Sequence, residues 1–332
     1  MGLAKKAVKV SVVIFVALAL AFLAAFILTS GDHHLLKTAA EDPSVPRVNI
    51  NGNVFHAEAF GDPEKPVVIV IHGGPGWDYR SLLPLKALSD EFYVVFYDQR
   101  STGLSPRVAP EGLTLESTLS DLDSIVDHYG MGRKVHLVGH SWGAMLASAY
   151  LGMHPQKVSH AVLAEPGFLT TELMKESKAS FGPRLEAGFL YRAGRAWFES
   201  LHIEGGSDAR LDYIIGQVAP YANPEFFCGG DIPEAAKLHW RPGSAAMQAI
   251  MRSAMDKDGV IQIDLTKGVE RFTGPVLFLA GECNTLVGEA HQAKQAKFFK
   301  DAELLVIKGS GHLMFGERPV ETIAAARGHL RQ

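Results

Sequence analysis

The stretch "KVHLVGHSWGAMLASAYLGM", residues 134–153, constrains this chain more than any other. It runs β-favouring residues into Gly139-His140-Ser141-Trp142-Gly143 and leaves through an Ala- and Leu-rich helical pattern. A strand that turns at once into a helix needs small residues on either side of the corner, because the residue between them takes a strained backbone that larger neighbours would clash with. Serine in such a corner projects its hydroxyl clear of the backbone. The helix that follows aims its first amides and its positive dipole end at the same point. The pentapeptide fits the G-x-S-x-G nucleophile elbow in its required strand-turn-helix setting, with Ser141 as nucleophile.

A serine hydroxyl is a poor nucleophile near neutral pH and needs a base within hydrogen-bond reach. His312, in "VIKGSGHLMFGERPVE", follows the last apolar run and precedes the last helical pattern. Its place in the chain order singles it out from the chain's 14 histidines.

The rest of the chain reads as α/β. Apolar runs "VFHAEAF", "PVVIVIH", "FYVVFYD", "KVHLVGH", "HAVLAEP", "PVLFLAG" and "ELLVIKG" alternate with helical patterns at 115–129, 144–153, 289–299 and 319–330. Strands alternating with helices argue for a mostly parallel central sheet covered on both faces by helices. The alternation breaks between about Phe168 and Lys267, where "TELMKESKASFG", "EAAKLHW" and "AAMQAIMRSAM" read as helices with no strong strand between them. That stretch reads as a helical cap inserted between two strands, over the carboxyl ends where α/β sheets bind ligands. The divisions are then an N-terminal segment 1–30, a linker 31–47, core 48–165, cap 166–269 and core 270–332.

The N-terminal segment carries Lys5, Lys6 and Lys9 and then 19 almost uninterrupted apolar residues from Val10 to Leu28. As a helix these would span roughly 28 Å, close to the hydrocarbon thickness of a bilayer. The run is longer than the apolar region of a secretory signal, and no clean cleavage site follows it. The reading is a single N-terminal transmembrane helix with its lysines on the cytoplasmic side and the catalytic domain outside the cytoplasm. A cleaved signal, giving a secreted or periplasmic protein, is the alternative. A net charge of −4 with mixed signs leaves no nucleic-acid footprint. No cofactor or metal site is expected, since the adjacent His33 and His34 lie in the linker. The two cysteines, Cys228 and Cys283, read as unpaired thiols, with one bridge open to them in an oxidising compartment. Oligomeric state is not read.

"HGGPG" at 72–76, "DQRSTGLS" at 98–105, "GHSWG" at 139–143 and "GSGH" at 309–312 occur in that order. With these motifs the chain resembles the α/β-hydrolases, and within them the proline iminopeptidase-like branch. The resemblance covers about residues 48–165 and 270–332. It implies an α/β-hydrolase fold and acyl-enzyme chemistry, most simply an aminopeptidase acting on short peptides or amides. It also implies an oxyanion hole built from the amides of Gly74, or Gly73 in its place, and Trp142. Asp98 and Arg100 are expected to organise their loop without a catalytic step.

The acid of this family follows the strand "PVLFLAG" in a Gly-Glu-x-Asp pattern. Here the chain reads Gly281-Glu282-Cys283-Asn284, so an asparagine stands in the acid's place. Glu165, which ends the run "HAVLAEP", is the favoured replacement, a position resembling that of the acid in some haloalkane dehalogenases. Glu282 is the second choice and Asn284 itself the third. Trp197, Glu199 and Glu204, in "RAWFESLHIEGG", vaguely resemble the family's cap and would offer carboxylates and an aromatic face to a substrate's amine. An esterase, amidase or lactonase with the same machinery stays open. So does a catalytically silent, membrane-tethered binding module that has lost its acid. An epoxide hydrolase or dehalogenase is disfavoured, since both need aspartate where Ser141 stands.

Overall fold

The structure is a computed structural model that describes residues 2–177 and 186–332. Eight strands form one sheet: β1 Arg47–Ile50, β2 Asn53–Phe60, β3 Val67–Ile71, β4 Tyr93–Tyr97, β5 Val135–His140, β6 Val158–Ala164, β7 Val276–Gly281 and β8 Ala302–Ile307. Their order across the sheet is β1-β2-β4-β3-β5-β6-β7-β8. β1 and β2 pair antiparallel, β2 joins β4 antiparallel, and every pairing from β4 to β8 is parallel.

The parallel strands are apolar at most positions because the sheet is covered on both faces. Val67, Ile69 and Ile71 of β3 belong to one hydrophobic cluster, while Val68 and Val70 belong to a second on the opposite face. β7 alternates in the same way, with Val276 and Phe278 on one side and Leu277 and Leu279 on the other. β3 and β7, covered on both faces, carry no polar side chain, whereas β5 admits the buried His136 and His140.

Ten α-helices accompany the sheet among the described residues: α1 Gly2–Leu28, α2 Leu115–Gly130, α3 Trp142–Met153, α4 Thr171–Glu176, α5 Ala187–Ser200, α6 Ser207–Val218, α7 Ser244–Ser253, α8 Glu289–Ala296, α9 Met314–Glu317 and α10 Pro319–Leu330. α2 and α3 pack on the first cluster. The short-pitch helical segment Arg80–Asp90 packs with α9 and α10 on the second.

The chain leaves the sheet after β6 and returns at β7, and α4 to α7 lie in that excursion. Part of the helical pattern expected from 171 to 182 falls outside the described residues. "EAAKLHW" forms only a short-pitch turn, Glu234–Lys237. The strand β1 was not expected from the sequence. Its residues "RVNI" alternate in character at the edge of the sheet and do not form an apolar run.

Cys228 and Cys283 are disulfide-bonded, with Cα atoms 4.8 Å apart. This corrects the expectation of two unpaired thiols, because the cap loop returns to meet the loop after β7, a contact that spacing alone does not reveal. The bridge fastens the cap to the core across 55 residues.

The segment between α1 and β1 has no regular element, yet it is laid firmly on the molecule. Thr38 and Ala39 are fully buried, and the Ala39 N–H donates to the Leu104 carbonyl. Arg241 joins this segment to the cap by donating to Asp212 of α6 at 3.1 Å and to the Leu36 carbonyl at 3.3 Å. Arg107 reaches the same Asp212 from the core side at 3.2 Å.

α1 is exposed from Lys6 to Ala24, and Ala25 and Phe26 near its end are half-buried. The most apolar 18 residues of its stretch Lys6–Leu28 have a mean hydropathy of 3.0, and the helix is long and apolar enough to cross a membrane.

Candidate active site

Ser141 sits between β5 and α3 at φ 55° and ψ −119°, the strained corner its neighbours anticipate. The glycines around it are there for contact reasons. A Cβ on Gly139 would stand 2.5 Å from the Gly143 carbonyl oxygen, and one on Gly143 would collide with the Ile71 carbonyl. Gly73, in the loop after β3, comes so close that a Cβ there would lie 3.1 Å from the Ser141 Cβ. The "HGGPG" loop is thereby held against the nucleophile corner.

Gln99 fixes this arrangement. Its N–H donates to His72 Nε2 at 3.0 Å, its Nε2 donates to the His72 carbonyl at 2.9 Å, and its Oε1 accepts from the Trp142 indole at 3.1 Å. Asp98 and Arg100 act within the same loop. Asp98 accepts from His56, from the Tyr79 N–H and from the Leu104 N–H, and Arg100 is ion-paired to Asp121.

His312 lies in the loop between β8 and α9. Its Nδ1 donates to Glu165 Oε2 at 2.6 Å. Glu165 follows β6 at φ 44°, a left-handed backbone that a glutamate adopts only at a cost. Its side chain is fully buried. Its other oxygen accepts the Gly281 N–H at 2.7 Å, and Asn284 Nδ2 donates to Oε2 at 2.6 Å. Of the three residues weighed as partner of the histidine, the structure brings Glu165 to it.

Asn284 occupies the expected acid position and serves Glu165 instead. Its own Oδ1 accepts the Leu286 and Val287 N–H groups at 2.9 and 3.1 Å, which orients its amide donor towards the carboxylate. Glu282 points outward, to Lys308 at 2.8 Å and to the Gly309 N–H at 2.8 Å.

Burial drives the buried pair towards its uncharged forms. It pushes the Glu165 carboxyl up to about 8, against the opposing pull of the Gly281 and Asn284 donors. It pushes the His312 imidazole down to about 4. A neutral imidazole held by Nδ1 leaves Nε2 as the basic nitrogen, the tautomer a general base requires.

Three further residues support the histidine and carried no signal in the sequence. The Phe226 ring, from the cap, stacks on the His312 ring at 4.5 Å and 18°, and the Phe226 carbonyl accepts the His312 N–H at 2.9 Å. Glu317 accepts the Gly311 and Leu313 N–H groups, both at 2.9 Å, and so clamps the backbone on either side of His312. His140 stands beside Ser141 in the chain and donates from Nε2 to the His312 carbonyl at 2.8 Å. That bond ties the nucleophile corner to the histidine loop.

A G-x-S-x-G corner, a buried carboxylate–imidazole pair and a flanking Gly-rich loop on one parallel sheet form a recognisable set. The sequence model described as "Alpha/beta hydrolase family" matches residues 68–326. The chain belongs to the alpha/beta hydrolase family. Within it, this hydrolase falls in the proline iminopeptidase-like branch. It is similar to a proline iminopeptidase of Lactobacillus helveticus, 37% identical over 287 residues that cover 81% of this chain and 91% of that one. Among solved structures it resembles a proline iminopeptidase of Mycobacterium smegmatis with a TM-score of 0.60 and 17% identity, covering 87% and 98% of the two chains. It also resembles an enol-lactonase of Burkholderia xenovorans with a TM-score of 0.61 and 17% identity, covering 86% and 100%. At these identities the structural likenesses show the fold alone.

The residues expected to meet a substrate's amine are occupied elsewhere in this hydrolase. Glu199 accepts from Arg195 at 2.7 Å and from the Tyr213 hydroxyl at 3.0 Å, so both of its oxygens are already engaged. Trp197 meets Phe22 of α1 edge-on. Glu204 is exposed in the turn before α6. Their partners lie on α1, α5 and α6 and not on the loops around Ser141, which differs from the expectation. Among the described residues no group of His, Cys, Asp and Glu side chains suits a metal ion.

Proposed function

We propose that this chain is a serine hydrolase that works through an acyl-enzyme, with Ser141 as nucleophile, His312 as general base and then general acid, and Glu165 as the acid that orients His312. The observation that carries the proposal is the 2.6 Å bond from His312 Nδ1 to the buried Glu165 carboxylate. It leaves Nε2 free to take the Ser141 proton as the hydroxyl attacks a carbonyl carbon. The tetrahedral oxyanion then rests on the amides of Trp142 and Gly74, with Gly73 as the alternative donor. His312 returns the proton to the leaving amine or alcohol, and water repeats the sequence to release the acid.

The substrate class is a short peptide or amino-acid amide, cleaved at its N-terminal residue, by similarity to the iminopeptidases. A second reading, ester or lactone hydrolysis, draws support from Glu199. With both oxygens engaged, that carboxylate offers little to a substrate's ammonium group. The intact nucleophile, base and acid weigh against a silent binding module.

We further infer that α1 anchors the chain in a membrane with the catalytic domain on the non-cytoplasmic side. Lys6 and Lys9 before the apolar stretch favour this orientation, and the Cys228–Cys283 bridge suits an oxidising compartment. Cleavage as a signal remains the alternative.

The test is covalent labelling by a fluorophosphonate, with Ser141→Ala as control, followed by turnover of proline and other amino-acid arylamides beside simple esters and lactones. Label that persists in Ser141→Ala would remove the serine mechanism. Ester turnover without arylamide turnover would select the second reading.

A further inference from the structure

We propose that α5 of the cap is seated in the membrane interface, with Leu190, Tyr191 and Trp197 as its lipid-contacting side chains. The proposal rests on the reading of α1 as a membrane anchor and deepens it by assigning a second contact surface.

The argument is one of depth. The apolar run from Val10 to Leu28 has 19 residues, so as a helix it is about 28 Å long, close to a hydrocarbon core of about 30 Å. Phe22 lies six residues before the end of that run, about 9 Å along the axis. With the run filling the core, Phe22 falls below the hydrocarbon boundary.

Yet Phe22 touches the cap. Its ring stands 5.3 Å from Phe198 and 6.3 Å from Trp197, both on α5. One turn higher, Phe26 stacks on His202 at 4.2 Å, and the His202 ring nitrogen donates to the Phe26 carbonyl. If α1 spans a bilayer while keeping these contacts, the part of α5 beside Phe22 enters that bilayer's outer layer.

The composition of α5 fits that setting. Leu190, Tyr191 and Trp197 are 49%, 69% and 46% exposed. Leu190, Gly194 and Trp197 follow one another at helical spacing along an exposed stripe. Trp and Tyr are the side chains that favour the boundary between headgroups and acyl chains, where one edge of the ring stays wet. The opposite side of α5 carries the buried Ala196 and Glu199. The occupant is a bilayer surface, since the same helix face continues into the contact with α1.

The experiment uses the full chain in phosphatidylcholine vesicles whose lipids carry bromine either near the glycerol end or near the methyl end of an acyl chain. Tryptophan fluorescence is compared for the wild type and Trp197→Phe, a conservative change at an exposed ring. Sedimentation with vesicles after an alkaline wash reports the anchor separately. The expected result is quenching by the shallow bromines that falls about twofold or more in Trp197→Phe, with weaker quenching by the deep ones. Chain that stays with the vesicles but shows equal quenching in both proteins would overturn the seating of α5 while leaving the anchor in place. The same holds whether water or a second copy of the chain covers the ring. Chain released by the wash would overturn the anchor and this proposal together.

Discussion

His312 Nδ1 and Glu165 Oε2 are 2.6 Å apart although 147 residues separate them in the chain. The carboxylate comes from the end of β6, and the position after β7 where the family places its acid holds Asn284, which donates to the same oxygen at 2.6 Å. In the proposed mechanism the acid has moved one strand along the sheet and kept its target, and the asparagine is its support. Glu165→Gln is expected to lower kcat by about 10⁴, the cost of presenting an amide to the imidazole. Asn284→Ala removes one hydrogen bond to a carboxylate, about 1.5–3 kcal/mol, and is expected to lower kcat between roughly tenfold and a hundredfold. Glu282→Gln, at an outward-facing residue, is expected to leave kcat unchanged. Steady-state kinetics on the three variants check the ranking, and a Glu282 effect larger than that of Glu165 would reverse the assignment.

The pH dependence follows from burial. His312 acts as a base only when neutral, and burial lowers its imidazole to about 4. Protonation therefore removes activity only at a pH below the ordinary imidazole value of about 6.5. The acid limb of kcat/KM is expected to lie below that value, with activity rising through the limb as pH increases. Burial pushes the Glu165 carboxyl up to about 8, so through this limb it carries no charge that would favour imidazolium. Its replacement by glutamine is accordingly expected to lower activity without moving the limb. A wild-type limb centred at or above the ordinary imidazole value would show that water reaches the ring far more freely than this packing allows.

The legible part of this molecule is the part whose signal is local. β2 to β8 are legible as short runs rich in Val, Ile, Leu and Phe that alternate with helical patterns, and Ser141 because its corner demands glycines within two residues. Glu165 was readable once the acid's usual place was found to hold an amide. β1 was not, since an edge strand of four residues with one arginine and one asparagine has no distinctive period. Phe226 and the disulfide were hidden for a common reason. Both depend on the path by which the cap returns to the core, where its loop meets the loops after β7 and β8 through Thr285 and His312. Glu317 reads in the sequence as an ordinary surface acid before a proline, and only the fold turns its two oxygens on to the loop of His312.

The glycines of the elbow give a stability prediction. Gly139→Ala puts a methyl group 2.5 Å from the Gly143 carbonyl oxygen and 2.7 Å from the Ala144 nitrogen. Both are backbone atoms of α3, so relief requires the helix to move away from β5. Overpacking of this kind costs about 1–3 kcal/mol, and the displaced helix carries the Trp142 amide with it. Loss of stability and of kcat together is expected. Gly132→Ala serves as the contrast: Gly132 has a positive φ, which Gly139 does not, but open space surrounds its Cβ. Backbone strain alone is expected to lower its stability, with kcat retained. Urea unfolding beside kinetics separates the two, and a Gly139→Ala enzyme of wild-type stability would show that the corner is looser than its contacts indicate.

The Cys228–Cys283 bridge joins two neighbours of the catalytic pair. Cys228 lies two residues from Phe226, whose ring covers His312, and Cys283 adjoins Asn284, which holds Glu165. Opening the bridge frees a connection spanning 55 residues, for which chain-entropy reasoning gives a loss of about 4 kcal/mol. The effect should extend beyond stability, because both supports of the pair lose their common tether. Cys228→Ser with Cys283→Ser is expected to lower the urea midpoint and, at denaturant-free conditions where the chain is still folded, to lower kcat. Added thiol should act on the wild type in the same direction and leave the double variant unaffected. Full kcat in the folded double variant would mean that Phe226 and Asn284 hold their places through packing alone, and the bridge would then serve stability without serving catalysis.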